Sequence, residues 1–275
     1  MQTQFFESFD GTRIAWREMG EGRPVVLIHG YFSDANTNWI KYGTAAKLVE
    51  AGFRVIMPDL RAHGESGRPH GSEAYPPDAL AMDAEAFIAH LGLTDYDLGG
   101  YSLGARTTAR LLATGANPRK VVFSGMGLEG LVGAERRAGH FRNILTNLGV
   151  HKGEVSVFGG AQLRPNIHIE DITDLYLFLL EHPEVTGIYN AGFENLSILE
   201  IAEMVKRHTN ASIVVKPSND PRSYRVNSDK LLATGFKPKK QVDPAILEIC
   251  AAYRSGQLKD EQHFHNLAWM KQKVL

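Results

Sequence analysis

The chain has 275 residues, of which 43% are hydrophobic and 22% charged, with a formal net charge of -1. This is an ordinary globular composition, with enough chain for one large α/β domain or two smaller ones. Near-neutrality argues against a nucleic-acid partner, the single cysteine (Cys250) excludes a disulfide framework, and no apolar run approaches membrane-spanning length.

Residues 3–8 and 12–18 read as two strands joined at Asp10-Gly11, a dipeptide that favours a tight hairpin turn. Val25-Val26-Leu27-Ile28 is a continuous apolar run suited to a strand covered on both faces, and it ends at His29-Gly30-Tyr31. A helix is expected over 39–51 with Gly52 just beyond it, then a strand over 53–57. The polar loop Asp59-Leu60-Arg61-Ala62-His63-Gly64-Glu65-Ser66 follows. Pro76-Pro77 opens a helix with Leu80, Ala84, Phe87, Ile88 and Leu91 on one face and Gly92 as its stop. Residues 96–99 read as a short strand, 105–113 as a helix and 119–124 as another buried strand. Strand, helix and strand in succession predict a mostly parallel sheet with helical crossovers, a three-layer α/β sandwich. With no basic-then-apolar segment at the N-terminus, the protein is expected to be cytoplasmic.

Between the strand at 96–99 and the helix at 105–113 stands Gly100-Tyr101-Ser102-Leu103-Gly104. A Gly-x-Ser-x-Gly pentad in that context is a nucleophile elbow, a sharp strand-to-helix turn that exposes the serine hydroxyl. His29-Gly30, Asp59 to Ser66 and the elbow occur in this order, and on them residues 1 to about 150 resemble the α/β-hydrolase family, in particular its esterase and haloperoxidase-like members. The resemblance implies Ser102 as catalytic nucleophile, with the backbone amides of Tyr31 and Leu103 as the oxyanion hole. It implies that His29 and His63 hold loops in shape and that Asp59 ties down its own loop.

A serine needs a base, and the base an orienting acid. In this family both follow the elbow, and neither is recognisable after residue 125. Gly139-His140 lies in a helix-like segment. His263 and His265, preceded by Asp220, Asp243 or Asp260, are substitutes by position alone, and a His-x-His pair also raises metal binding.

From about Gly153 the pattern changes. A strand at 154–158, a helix at 172–182, a strand at 187–192, a capping box Ser197-Ile198-Leu199-Glu200 opening a helix through Arg207, a strand at 212–216 and a helix at 244–253 are expected. On the motifs from Arg164 to Asp171, Tyr189-Asn190-Ala191-Gly192, Asp220 to Lys230 and Gly235-Phe236-Lys237-Pro238, this block resembles the C-terminal part of nucleotide-sugar epimerases and dehydratases. That resemblance implies nucleotide diphosphate contacts at Arg164 and Arg222; the alternative is two surface arginines paired with Glu170 and Asp220. Neither a Gly-rich dinucleotide motif nor a Tyr-x-x-x-Lys pair is present, so no cofactor is expected. The simplest reading is a chimera: residues 1–150 as the front half of a hydrolase and residues 151–275 as the back half of an epimerase, with the strand through Tyr189 extending the first sheet. Two functions follow, a weak or inactive esterase acting on a small-molecule ester, or a non-catalytic nucleotide-sugar-binding protein.

Overall fold

A computed structural model of the chain describes residues 1–125, 153–218 and 223–257. The chain divides into two compact units, Met1–Arg137 with Leu179–Glu181, and Ala138–Phe178 with His182–Leu275. Among the described residues no helix is long and apolar enough to cross a membrane.

In the first unit, β1 (Gln4–Glu7) and β2 (Arg13–Met19) form the expected hairpin, followed by β3 (Arg23–Ile28), α1 (Thr44–Glu50), β4 (Phe53–Pro58), α2 (Ala79–His90), β5 (Asp97–Tyr101), α3 (Leu103–Ala113) and β6 (Val121–Ser124). The sheet order is β1-β2-β4-β3-β5-β6. Pairings β3–β4, β3–β5 and β5–β6 are parallel, whereas β1–β2 and β2–β4 are antiparallel. The sheet is therefore mixed, because the hairpin lays β2 against β4 in reverse. Strand alternation sends Val26, Ile28, Ile56 and Leu98 to one face. There they pack with Phe6, Ile14, Trp16, Phe87 and Leu111 in a single buried cluster. Each such side chain contributes about 1.5–3 kcal/mol on burial.

Two helix boundaries differ from expectation because a residue at positive φ stands at each. The helix expected over 39–51 is split into a turn at Asn36–Ile40 and α1, because Gly43 stands between them at φ +82°. No unbroken right-handed helix accommodates that residue. Likewise α2 starts after Asp78 (φ +65°) rather than at Pro76-Pro77. Arg110 of α3 holds the Asp78 carboxylate with two hydrogen bonds of 2.8 and 2.6 Å.

The second unit contains β7 (Glu154–Phe158), β8 (Leu163–Asn166), α4 (Ile169–Glu181, all but its last three residues), β9 (Glu194–Ser197), α5 (Ile198–Thr209), β10 (Ser212–Lys216), α6 (Asp229–Leu232) and α7 (Val242–Arg254). β7 and β10 pair in parallel, β8 and β9 antiparallel. The capping box at Ser197 and Glu200 forms as expected. α5 buries Ile198, Ile201, Ala202 and Val205 against Val155, Val157, Val242, Ile246 and Cys250, a core of its own. α4 begins three residues early because the His168 side chain accepts the Glu170 N–H.

The strand expected over 187–192 does not form. Ser228 Oγ occupies both the N–H and the carbonyl of Gly192, and Lys230 Nζ takes the Ile188 carbonyl. The ladder groups are spent on side chains, and pairing shifts to Glu194–Ser197. Tyr189 extends no sheet; β1 and β6 are the edges of the first one.

The least expected feature is the burial of Arg61, 1% exposed in the first unit. Its guanidinium donates to both Asp83 oxygens of α2 (2.6 and 2.7 Å), to Asp10 of the hairpin turn (3.0 and 3.2 Å) and to the Ala74 carbonyl. Ser8 adds a 2.5 Å bond to Asp83. One buried cation thus joins the hairpin, the loop after β4 and α2. Removing one partner of a buried pair leaves charge uncompensated, so Asp83→Ala is expected to cost the first unit about 3–5 kcal/mol. Urea unfolding followed by fluorescence of the buried Trp16 and Trp39 measures this.

Candidate active site

Ser102 sits where β5 turns into α3, in the left-handed region at φ +53°, ψ −111°. A non-glycine residue in such a conformation costs of order 1–3 kcal/mol and persists only where its surroundings enforce it. Here the enforcement is close backbone packing. A Cβ on Gly104 would overlap the Ile28 carbonyl, and one on Gly100 would overlap the backbone of Gly104 and Ala105. The turn is further held by the Ser102 N–H to Ser124 carbonyl bond (2.8 Å) and by the Arg106 N–H on the Ser102 carbonyl (3.1 Å). The Ser102 side chain is half-buried.

Leu103, the other elbow residue singled out from the sequence, is the first residue of α3, so its N–H belongs to the set that lacks an intrahelical acceptor, at the positive end of the helix dipole. Across from it, Gly30 packs on the elbow: a Cβ there would lie 3.3 Å from Ser102 Cβ and 2.9 Å from the Tyr101 ring. The Gly30 N–H is taken by Asn38 Oδ1 at 2.8 Å, which orients the loop that carries Tyr31. The structure thus brings the loop of Tyr31 alongside Ser102 and Leu103. Arg164 stands in the second unit. It is 6% exposed, not a surface residue; it donates to the Leu163 carbonyl at 2.8 Å and lies 5.3 Å over the Tyr224 ring. Arg222, Asp220, His140, Asp260, His263 and His265 lie outside the described residues. Asp243 is engaged by Arg207 and His208, both at 3.0 Å.

The loops around the elbow are fixed by buried polar groups. His29 is fully buried; its Nε2 accepts the Leu60 N–H at 2.9 Å, so the proton stands on Nδ1, which donates to the Gly30 carbonyl at 2.7 Å. Burial, with a smaller push from His63, lowers its pKa to about 4 against the opposing pull of the Gly30 carbonyl. His29 is a neutral connector of two loops, with both nitrogens occupied. Asp59, also fully buried, accepts the Ala35 N–H (2.8 Å), the Glu65 N–H (3.0 Å) and Arg17 Nη1 (3.2 Å). His63 is bound through Nδ1 to the Arg61 carbonyl at 2.9 Å. Asn38 and Ser124 carry no signal of these roles in the sequence; their partners are set by the fold.

Residues 23–123 match the family of the alpha/beta hydrolase fold. All three motifs described above fall inside that span. A non-heme haloperoxidase of Rhodococcus erythropolis is 38% identical over 112 residues, covering 40% of this chain and 38% of that protein. An AB hydrolase superfamily protein of Bacillus subtilis is 36% identical over 108 residues, 38% of each chain. An esterase structure from Rhodococcus sp. shares 32% identity over 46% of this chain and 48% of that one, with a TM-score of 0.40. The chain spans about two fifths of the length of the curated relatives it matches.

Two expectations follow. Gly104→Ala drives a Cβ into backbone that has no side chain to move, so the first unit is expected to lose at least the ~1–3 kcal/mol typical of overpacking, read as a lower urea midpoint. The second concerns pH. Below the ordinary value of 6.5 the unfolded chain protonates His29, while the folded chain does so only near pH 4. Its contribution is therefore fully present above that ordinary value and lost as pH falls through the window, amounting to about 2 kcal/mol between pH ~7.5 and ~5. Urea titrations at the two pH values measure the loss, and His29→Asn is expected to diminish it.

Proposed function

We propose that the first unit is a serine hydrolase of the esterase type, with Ser102 as nucleophile. The observation that carries this reading is the strained left-handed turn at Ser102, enforced by glycine contacts and aimed from the carboxyl end of a parallel strand, the edge at which open α/β sheets place their sites. Ser102 Oγ would attack an acyl carbonyl, and the Leu103 and Tyr31 N–H groups would hold the developing oxyanion. Removing one such donor typically costs ~10²–10³ in turnover. The proton on Oγ needs a base, and His29 is committed elsewhere, so the reaction proposed is a weak ester hydrolysis. Enzymes stripped of triad members retain ~10³–10⁴-fold catalysis over water from the oxyanion hole and binding.

A second reading takes residues 151–275, on sequence motifs alone, as the back half of an epimerase joined to this front, binding a nucleotide-sugar through Arg164 and Arg222. Arg164 is buried against Leu163 and Tyr224, which leaves little of its guanidinium open to a phosphate.

A fluorophosphonate probe tests the proposal directly. Wild type is expected to label at one serine and to hydrolyse 4-nitrophenyl acetate, and Ser102→Ala to lose both. A folded wild type that does not label would overturn the nucleophile.

A further inference from the structure

Among the described residues β10 (Ser212–Lys216) pairs only with β7, so its second edge is open. The bonds at the two ends of that pairing fix which groups line the open edge. The Ser212 N–H donates to the Gly153 carbonyl, and the Gly159 N–H donates to the Lys216 carbonyl. Ser212, Val214 and Lys216 therefore turn their backbone groups to β7, and Ile213 and Val215 turn theirs outward. This outward row is bounded at both ends. Pro217 has no N–H to give, and the Ala211 N–H is held by Thr209 Oγ1 at 3.3 Å. Side chains alternate along the same strand. Ile213 packs on the core under α5, Val215 beyond it on that face is 55% exposed, and Val214 on the other face is 37% exposed. An apolar edge without a bulge or an inward charge is a template for another strand.

We propose that the strand which completes this edge is β10 of a second copy of the chain, paired antiparallel about a two-fold axis at Val214. In that register Ile213 faces the partner's Val215 and exchanges both ladder bonds with it, on each side of the axis, and Val215 is covered in return. Val214 meets the partner's Val214 in the closer, non-hydrogen-bonded position. Charge favours a second copy over an unrelated peptide. On the outer face Lys216 stands opposite the partner's Ser212, and one strand further on lies the partner's Glu154, because Ser212 and Glu154 are register partners. With strands about 4.8 Å apart, the Lys216 and Glu154 Cα atoms lie about 10 Å from each other, within the joint reach of the two side chains. Lys216 lies 5.7 Å over the Phe158 ring and Glu154 accepts a bond from Ser156 Oγ at 3.3 Å; among the described residues neither has an ion-pair partner. The two-fold axis supplies the missing pair twice. Sliding the strands by two residues loses that pair and shortens the ladder. Five residues a side cover far less than the ~800 Å² per partner of a standard interface, so the dimer is weak and reversible.

Disulfide trapping tests the register. Val214→Cys puts two thiols across the axis at a Cα separation of about 4.5 Å, inside disulfide range. Ser212→Cys keeps the same face but sets its thiols four residues apart along the strands, about 13 Å, and out of range. The native cysteine, Cys250, is buried. With oxidised glutathione, Val214→Cys is expected to give a covalent dimer on non-reducing gels and Ser212→Cys to give less than about a tenth as much. Adding Lys216→Glu to Val214→Cys sets like charges together and is expected to lower the yield about 2- to 10-fold, and Glu154→Lys on top of it to restore the yield. Sedimentation velocity of wild type is expected to show a monomer–dimer equilibrium between about 10 and about 500 µM, the regime of a sub-standard interface. Circular dichroism before oxidation checks that each variant is folded. A wild type that stays monomeric throughout, equal trapping of the two cysteine variants, or a yield indifferent to Lys216→Glu overturns the pairing.

Discussion

The turn at Ser102 depends on the closeness of three backbones. α3 starts against the end of β3 with no Cβ between Gly104 and the Ile28 carbonyl, and β5 enters the turn with no Cβ between Gly100 and the first turn of that helix. Remove this closeness and the left-handed residue has nothing to keep it there, since in isolation it would relax to an ordinary conformation. The sheet supplies the rest: β5 lies between β3 and β6, so the two groups that meet the elbow, the Ile28 carbonyl and the Ser124 carbonyl, come from its two neighbours.

Around this turn the polar side chains act mainly as connectors. His29 ties the β3 loop to the β4 loop, Asp59 gathers amides from both, and Ser66 joins the Asp59 carbonyl to the Ala15 N–H of β2. Such groups are tolerated in an apolar interior because every buried donor and acceptor named here is satisfied. The same loops leave the Tyr31 and Phe32 side chains partly exposed.

The second unit follows other rules. It closes its own core between the β7–β10 pair, α5 and α7, and ties α4 to the segment before α7 through Asp171, whose buried carboxylate takes the Lys239 and Lys240 N–H groups. Arg164, which suggested a phosphate contact in the sequence, is used within that unit. A guanidinium can engage a carbonyl and an aromatic face or a phosphate, so the residue type alone does not distinguish them.

Much of the first unit was legible because its signals are local. Apolar runs mark β3 and β4, Asp10-Gly11 marks the hairpin, and the glycines of the elbow mark a turn that only they permit. The helix boundary at Asp78 was missed since its left-handed conformation coincides with a tertiary contact, the Arg110 guanidinium on its carboxylate, whereas the break at Gly43 is a local glycine turn at positive φ. The strand misread at 187–192 failed for a similar reason: Ser228 and Lys230, some forty residues downstream, claim its ladder groups. By itself the sequence determined the elbow, its strand and helix, and the loop motifs, because backbone sterics at glycine and side-chain periodicity act over a few residues. Tertiary structure alone decided that His29 is a neutral connector and that Arg61 is buried between two carboxylates, because burial and partnership are set by residues far apart in the chain.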